Sequence, residues 1–233
     1  MPQIPVPRYP EDFGGYQGEE LVNEDWLYIY RNYLEEHFAQ GDNLEGHHDP
    51  RIVVAFRNSR NPDSFNDLVG GYNITSGELR LWRATADPGK DPMQRISKLG
   101  VHPDGVARLQ AGMTRNCFKY GFHHNHRSHP AMRQCAVIPF ERFDTEEQAW
   151  YTPEKQTIRG FNVHRSKFHG KARWVGDWSH GCLVFPDRHE HWRYLLWMGY
   201  PKNGPHRAPI AVRNRRHSVV VIDITHTLPE KSL

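Results

Sequence analysis

The chain has 233 residues, with 30 Lys and Arg against 27 Asp and Glu and a net charge of +3 when its histidines are neutral. Hydrophobic residues make up only 37%, but 7 Trp, 10 Tyr and 11 Phe supply the large side chains of a buried core, which excludes general disorder. No stretch approaches the roughly 18 consecutive apolar residues of a membrane span, and so small a charge excess argues against nucleic-acid binding. The first ten residues lack the basic start and apolar run of a signal peptide, so we expect synthesis in the cytoplasm.

The N-terminal part divides into a flexible segment and the start of a domain. Four prolines and three glycines within the first 20 residues predict a flexible N-terminal segment over residues 1–22. Apolar residues then recur at three- and four-residue spacing over residues 26–38, which predicts a helix. We interpret residues 23–233 as a single domain, because no linker composition or internal repeat interrupts them.

Strand patterns dominate the rest of the chain. Runs rich in β-branched and aromatic residues predict strands at 51–57, 68–74, 78–85, 116–122, 131–140, 158–164, 182–185 and 219–224. Residues 90–112 have no clear period and are expected to form a long loop. Asp187 with Glu190 three residues later predicts the start of a second helix that ends at Gly199. The expected fold class is therefore mainly β with flanking helices (α+β).

One segment carries the residue types that thiol catalysis requires. Cys182 follows Gly181 at the start of a predicted strand, and His164 ends the preceding predicted strand. A catalytic thiol needs a base to take its proton and backbone amides to bind the oxyanion, and glycine allows the sharp turn that presents such amides. If the two strands are neighbours, the imidazole approaches the thiol, and we expect the pKa of Cys182 to be lowered toward the thiolate.

A cysteine at a strand start is more often a small buried hydrophobic residue than a nucleophile. The run Ser179, His180, Gly181 and Cys182 changes this balance, because its chance occurrence in a chain of this composition is on the order of one in a thousand. With His164 upstream, we therefore favour the catalytic interpretation.

These residues resemble the motif of the L,D-transpeptidase family of peptidoglycan enzymes, which is a His, a gap of roughly fourteen to seventeen residues, and then Ser/Thr-His-Gly-Cys. The resemblance implies a β-sandwich catalytic domain in which Cys182 attacks a stem peptide and His164 is the base. It further implies that a backbone carbonyl just after His164 orients the ring, that His180 supports the site, and that amides near Gly181 and Cys182 bind the oxyanion. Weaker similarity at 65–67, 79–89 and 160–164 resembles a divergent branch found in phage and prophage proteins.

Two positions depart from the family's pattern. Arg165 stands where a glycine usually follows the upstream histidine, and Val184 stands where an asparagine or arginine usually follows two residues after the cysteine. In the family these positions help to hold the acyl donor, so their loss argues against cross-linking more than against thiol chemistry. We therefore favour a hydrolytic, endolysin-like peptidase without a cofactor that acts on peptidoglycan peptides through a Cys182 acyl-enzyme; Arg165 remains a candidate catalytic residue.

A cluster of histidines is the second unusual feature. Neutral imidazoles at short spacing suit zinc, which keeps a zinc hydrolase as an alternative. We favour no metal, with His123 lining the catalytic cleft as a substrate contact and the other histidines solvated. The cluster consists of His123, His124, His126 and His129.

Other features bear on partners. A basic stretch at 202–217 is either a solvated loop or a contact for anionic wall polymers or lipid head groups. Trp174 and Trp178 flank the cysteine loop and either line the cleft as substrate contacts or pack in the core. Cys117 and Cys135 lie in apolar contexts and are interpreted as structural thiols. A true L,D-transpeptidase and a non-catalytic wall-binding protein are also compatible with these features.

Overall fold

The computed structural model describes residues 28, 31–36, 46–59, 63–90, 93, 106–125, 128–157, 160–167 and 169–224. The predicted flexible segment 1–22 lies outside these residues, as does part of the predicted helix 26–38, of which residues 31–36 are helical. The described protein is mainly β, with a large sheet and few helices, as predicted. Within this part of the chain, no helix is both long and apolar enough to cross a bilayer.

Two sheets contain the strands of the described residues. The strands are β1 (Arg51–Arg57), β2 (Asp67–Asn73), β3 (Glu78–Ala84), β4 (Ala107–Leu109), β5 (Gly112–Phe122), β6 (Pro130–Gln134), β7 (Phe140–Asp144), β8 (Ala149–Tyr151), β9 (Asn162–Arg165), β10 (Leu183–Phe185) and β11 (Arg216–Asp223). The large sheet has the order β10-β9-β6-β5-β11-β1-β2-β3, and the small sheet has the order β4-β7-β8.

The large sheet curls until its edges meet. Thr85, just after β3, and Val184 in β10 exchange two backbone hydrogen bonds of 2.9 Å, although β3 and β10 are at opposite ends of the strand order. Most neighbouring strands are antiparallel, but β1 pairs with β11 and β9 pairs with β10 in parallel. The parallel β9–β10 pair brings the predicted catalytic segment to the closing edge of the sheet.

Hydrophobic side chains cover both faces of the central strands. In β1, Val53 and Ala55 belong to the main core cluster, whereas Ile52, Val54 and Phe56 belong to a second cluster on the other face. Because successive strand residues point to opposite faces, a strand covered on both sides reads as a continuous apolar run, which explains the sequence of β1.

The main helix packs against the face that bears the main core cluster. This helix, α1, spans Arg188–Trp197, and Asp187 caps it by accepting hydrogen bonds from the amides of His189 and Glu190, as the sequence predicts. Its Tyr194 and Leu195 are fully buried in that cluster. A shorter helix, α2, spans Ile210–Arg213.

The predictions were wrong in several regions, and β8 was not predicted at all. The expected loop at 90–112 contains β4, and β5 already begins at Gly112 rather than at 116. The expected single strand at 131–140 is two strands, β6 and β7, which belong to different sheets. β4 has only three residues, too few for a two-residue hydrophobic alternation to stand out in the sequence.

Candidate active site

His164 lies in β9 with its imidazole held by a neighbouring backbone carbonyl. The ring is 2% exposed, and Nδ1 lies 2.7 Å from the carbonyl oxygen of Arg165. A carbonyl oxygen only accepts hydrogen bonds, so Nδ1 must carry the proton and Nε2 must have a free lone pair. Nε2 is buried and has no hydrogen-bond partner among the described residues. This tautomer is the one that a general base requires.

The register of the parallel pair places Cys182 on the same face as His164. Val184 of β10 aligns with His164, and continuing the register back by two residues aligns Cys182 with Asn162. Residues two apart in a strand share a face, so the two side chains lie on one face of neighbouring strands. Typical strand spacing and rise put their Cα atoms about 8 Å apart. Val184 belongs to a small apolar cluster that is separate from the main core, and Cys182 packs against that cluster.

The turn before Cys182 requires a glycine. Gly181 has φ 127°, a conformation that other residues rarely adopt, and a Cβ there would lie 1.9 Å from the carbonyl oxygen of Ala107 in β4. Ser179 is fully buried, and its hydroxyl donates to the carbonyl of Cys182 (2.9 Å) and accepts from the amide of Gly181 (3.2 Å). The hydroxyl of Ser179 therefore links the two ends of the turn before Cys182.

The resting thiol is neutral, and the predicted lowering of its pKa is wrong. Burial raises the pKa of Cys182 to about 11, and hydrogen bonds from the backbone and side chain of Asn162 only partly oppose this effect. Burial also holds the pKa of His164 well below 6.5, with further lowering by nearby His123. A thiol with a raised pKa and an imidazole with a lowered one do not form an ion pair at neutral pH, so any proton transfer must accompany attack on a substrate.

Asn162 is a site residue that the sequence analysis did not identify. It precedes His164 by two positions and therefore lies on the same face of β9, beside Cys182. The sequence contained one signal for this role: Asn162 precedes His164 by two residues, so the two side chains share a face once residue 164 is assigned to a strand. Through its backbone and side-chain hydrogen bonds, Asn162 links β9 to the sulfur of Cys182.

Arg165 does not contribute its side chain to this face. It follows His164 in β9, so its side chain points to the opposite face, where it lines a cavity beside α1 and donates to the carbonyl of Ser128 (3.2 Å). The part of Arg165 that contacts the candidate base is its backbone: the carbonyl just after His164, which the resemblance implies orients the ring, accepts from Nδ1, whereas the guanidinium group lies on the other face.

His123 stacks on His164. The two ring centroids are 3.9 Å apart with 14° between their planes, and His129 lies 4.7 Å from His123 and 5.5 Å from His164. His124 contacts His123 with ring centroids 4.0 Å apart and is exposed, as expected of a solvated loop residue, whereas His129 is half-buried and departs from that expectation. His126 lies outside the described residues. In the part of the chain that the structure describes, no three His, Cys, Asp or Glu side chains are arranged to hold a metal ion.

The loop between β9 and β10 presents exposed aromatic side chains. Trp174 is 56% exposed and Trp178 is 42% exposed, so neither packs in the core, and His180 is exposed beside them. Asp63 fixes this loop, because its carboxylate accepts from the amide of Gly176 (2.9 Å) and its carbonyl accepts from that of Val175 (3.1 Å). The two tryptophans, which were predicted to contact substrate, are therefore exposed to solvent.

The remaining cysteines and the basic stretch include buried side chains. Cys117 is fully buried, with a pKa raised by burial to about 12, and all three cysteines are free thiols. Within the stretch 202–217, His217 is fully buried, which corrects its assignment to a basic surface. The exposed basic residues of the stretch are Lys202, His206, Arg207, Arg213 and Arg216.

Comparison with known proteins finds no matching family model, no similar curated protein and no similar solved structure.

Proposed function

We propose that this chain is a cysteine-dependent acyl-transfer enzyme that acts on peptidoglycan stem peptides, with an L,D-transpeptidase-like β-sandwich fold. The observation that carries the proposal is the hydrogen bond from Nδ1 of His164 to the carbonyl of Arg165. It leaves the lone pair of Nε2 free on the face of β9 where Cys182 lies, which is the requirement for nucleophilic catalysis by a neutral thiol.

The chemistry proceeds in two stages. Cys182 Sγ attacks the peptide carbonyl while its proton passes to Nε2 of His164, and that proton then goes to the leaving amine as the C–N bond breaks. Water attacks the resulting thioester, His164 takes the proton of the water, and the thiol and a free carboxylic acid are released. Because Gly181 donates its amide to Ser179, the amides of His180 and Cys182 are the candidates for the oxyanion hole.

Two features favour hydrolysis over cross-linking. Val184 is fully buried in an apolar cluster where the family usually has a polar residue, so it offers no group to hold a substrate carboxylate. Arg165 replaces the glycine after the base and directs its side chain to the other face of β9. Transfer needs a bound acceptor amine, whereas hydrolysis needs only water, so an endolysin-like endopeptidase or carboxypeptidase fits this site better than a true L,D-transpeptidase.

Mass analysis of muropeptides after incubation with the protein tests the proposal. We expect shortened peptides with the wild type and with Cys117→Ala, and no change with Cys182→Ala or His164→Ala. Loss of either catalytic residue should reduce the rate at least about a hundredfold. Linked dimers in place of shortened peptides would identify a true L,D-transpeptidase.

Two further measurements distinguish a thiol enzyme from a zinc hydrolase and from a wall-binding protein. Activity that is lost with a chelator but survives alkylation of Cys182 would support a zinc hydrolase. Unchanged muropeptides together with co-sedimentation on insoluble peptidoglycan would support a non-catalytic wall-binding protein. In either case the thiol mechanism would be rejected.

A further inference from the structure

A cavity of about 360 Å³ opens beside α1, and nothing in the proposed mechanism uses it. Arg165, Pro130 and Ser128 line one side of it, and Arg188 and Trp192 of α1 line the other. Arg165 and His164 are consecutive in β9 and therefore point to opposite faces, so this cavity is separate from the face that carries Cys182. Its volume falls within the usual range of small-ligand sites.

Two arginines line this cavity. Arg165 is 5% exposed, which is unusual for an arginine, and after burial the largest effect on its pKa is a lowering by the positive charge of Arg188. An anion that enters this space can make a charge-assisted contact with each arginine. Planar guanidinium groups match the geometry of carboxylate and phosphate oxygens.

The start of α1 adds to the positive potential. Arg188 is the first residue of this ten-residue helix, whose N-terminal end carries a partial positive charge from its peptide dipoles. The acidic residue that precedes it, Asp187, caps the helix by directing Oδ1 to the amides of His189 and Glu190. His191 is 1% exposed and lines the same cavity, with Nε2 3.3 Å from the carbonyl of Val163.

The rest of the cavity wall is largely apolar and fits an organic ligand better than an inorganic ion. The half-buried indole of Trp192 and the ring of Pro130 provide flat, largely apolar surfaces next to the two arginines. A ligand with one charged end and one ring-shaped or apolar end would satisfy both parts of the wall.

We propose that this cavity is a binding site for a small organic oxyanion. The phosphate or carboxylate group lies between Arg165 and Arg188, and the ring or apolar body lies against Trp192 and Pro130. This site is distinct from the proposed acyl-transfer site, because Arg165 and His164 point to opposite faces of β9.

Calorimetric titration with phenyl phosphate and with benzoate tests the proposal, since the two probes share a ring and differ in the oxyanion. We expect saturable one-to-one binding of at least one probe to the wild type, and equal binding to Cys182→Ala, in which the proposed catalysis is absent. Tighter binding of phenyl phosphate indicates a phosphorylated ligand, and tighter binding of benzoate indicates a carboxylate. Affinity should fall with added salt, because the contacts are ionic.

Matched variants on α1 locate the site. Arg188→Gln should weaken binding by about tenfold or more, because it removes one of the two charge-assisted contacts. Arg193→Gln removes the same charge from an exposed position on the same helix and should leave the affinity unchanged. Trp192→Leu should weaken both ring-bearing probes but not inorganic phosphate. Equal affinities for Arg188→Gln and Arg193→Gln, or no saturable binding of either probe by the wild type, would overturn the proposal.

Discussion

The imidazole of His123 lies flat against that of His164, with ring centroids 3.9 Å apart and 14° between the ring planes. His123 follows the end of β5, and His164 is in β9, so the contact joins a loop to the strand that carries the proposed base. Burial lowers the pKa of His123 to about 3 and also holds that of His164 well below 6.5, so both rings are neutral at pH 7 and stack without repulsion. The stack shields His164 from water and limits the rotation of its ring.

Removing this stack should raise the pKa of His164 toward its ordinary value of 6.5. His123→Ala exposes the buried ring of His164 to water, whereas His123→Phe keeps a ring stacked on it and removes only the electrostatic effect of His123. The pKa of His164 should therefore rise more in the alanine variant. Titration of the imidazole signals by NMR measures the change. If the enzyme acts as proposed, alanine should also reduce kcat by roughly tenfold to a hundredfold, with phenylalanine close to the wild type. The same His164 pKa in both variants and the wild type would contradict this role for His123.

Alkylation of Cys182 should become faster with pH and show no plateau up to about pH 9.5. A thiol with a pKa of about 11 is about one thousandth ionised at pH 8, so the rate with iodoacetamide should rise about tenfold per pH unit. Peptide mass analysis of the labelled folded protein gives the rate at each cysteine. Cys117 is fully buried and serves as an internal control that should stay unlabelled.

The variant His164→Ala extends this measurement. Because the thiol and the imidazole form no ion pair at rest, the variant should alkylate at Cys182 within about threefold of the wild-type rate. A plateau below pH 8 in the wild type, or a loss of labelling in the variant, would show instead a thiolate that His164 stabilises.

The substitution Gly181→Ala should destabilise the protein strongly. The added Cβ would lie 1.9 Å from the carbonyl oxygen of Ala107, and the alanine would have to adopt φ 127°, so the turn before Cys182 must shift. We expect a loss of roughly 2 to 5 kcal/mol in the free energy of unfolding, measured by urea denaturation. Gly77→Ala is the matched control, because Gly77 has φ 67° but open space around its Cβ position, and it should lose only about 1 kcal/mol. Similar losses for the two variants would show that the close approach to Ala107 has no energetic importance.

Buried His217 should make the protein less stable below pH 6.5. Burial lowers the pKa of His217 from 6.5 to about 4, although nearby Asp49 acts in the opposite direction. The unfolded chain therefore takes up a proton at a higher pH than the folded one, so the stability is fully present above pH 6.5 and is lost as the pH falls toward 4. The shift corresponds to at most about 3 kcal/mol.

Urea denaturation at pH 7.5 and pH 5 measures this loss. Nδ1 of His217 lies 2.8 Å from the carbonyl of Arg51, a hydrogen bond that the amide of His217→Asn can reproduce without titrating, so this variant should lose less stability on acidification. His206→Gln changes an exposed histidine and should keep the wild-type dependence. An unchanged pH dependence in His217→Asn would assign the loss to other groups.

Sequence patterns predicted the positions of most strands of the large sheet, and the strand that contains His164 pairs with the strand that follows Cys182. The reason is that the β-branched runs and the capped helix α1 carry strong local signals, and that the motif directly precedes β10. The predicted lowering of the pKa of Cys182 was wrong because this pKa depends on burial by residues distant in the chain, which the local sequence does not reveal. The direction of the Arg165 side chain followed from strand alternation once His164 was placed in β9.

The position of β11 has a consequence for folding during synthesis. It lies between β5 and β1 in the large sheet, so it joins the half formed by β1, β2 and β3 to the half formed by β5, β6, β9 and β10. A ribosome must therefore translate the chain through Asp223 before these two halves can assemble around their shared central strand. Until then, the nascent protein exposes two unpaired strand edges, and we expect it to depend on chaperones during translation.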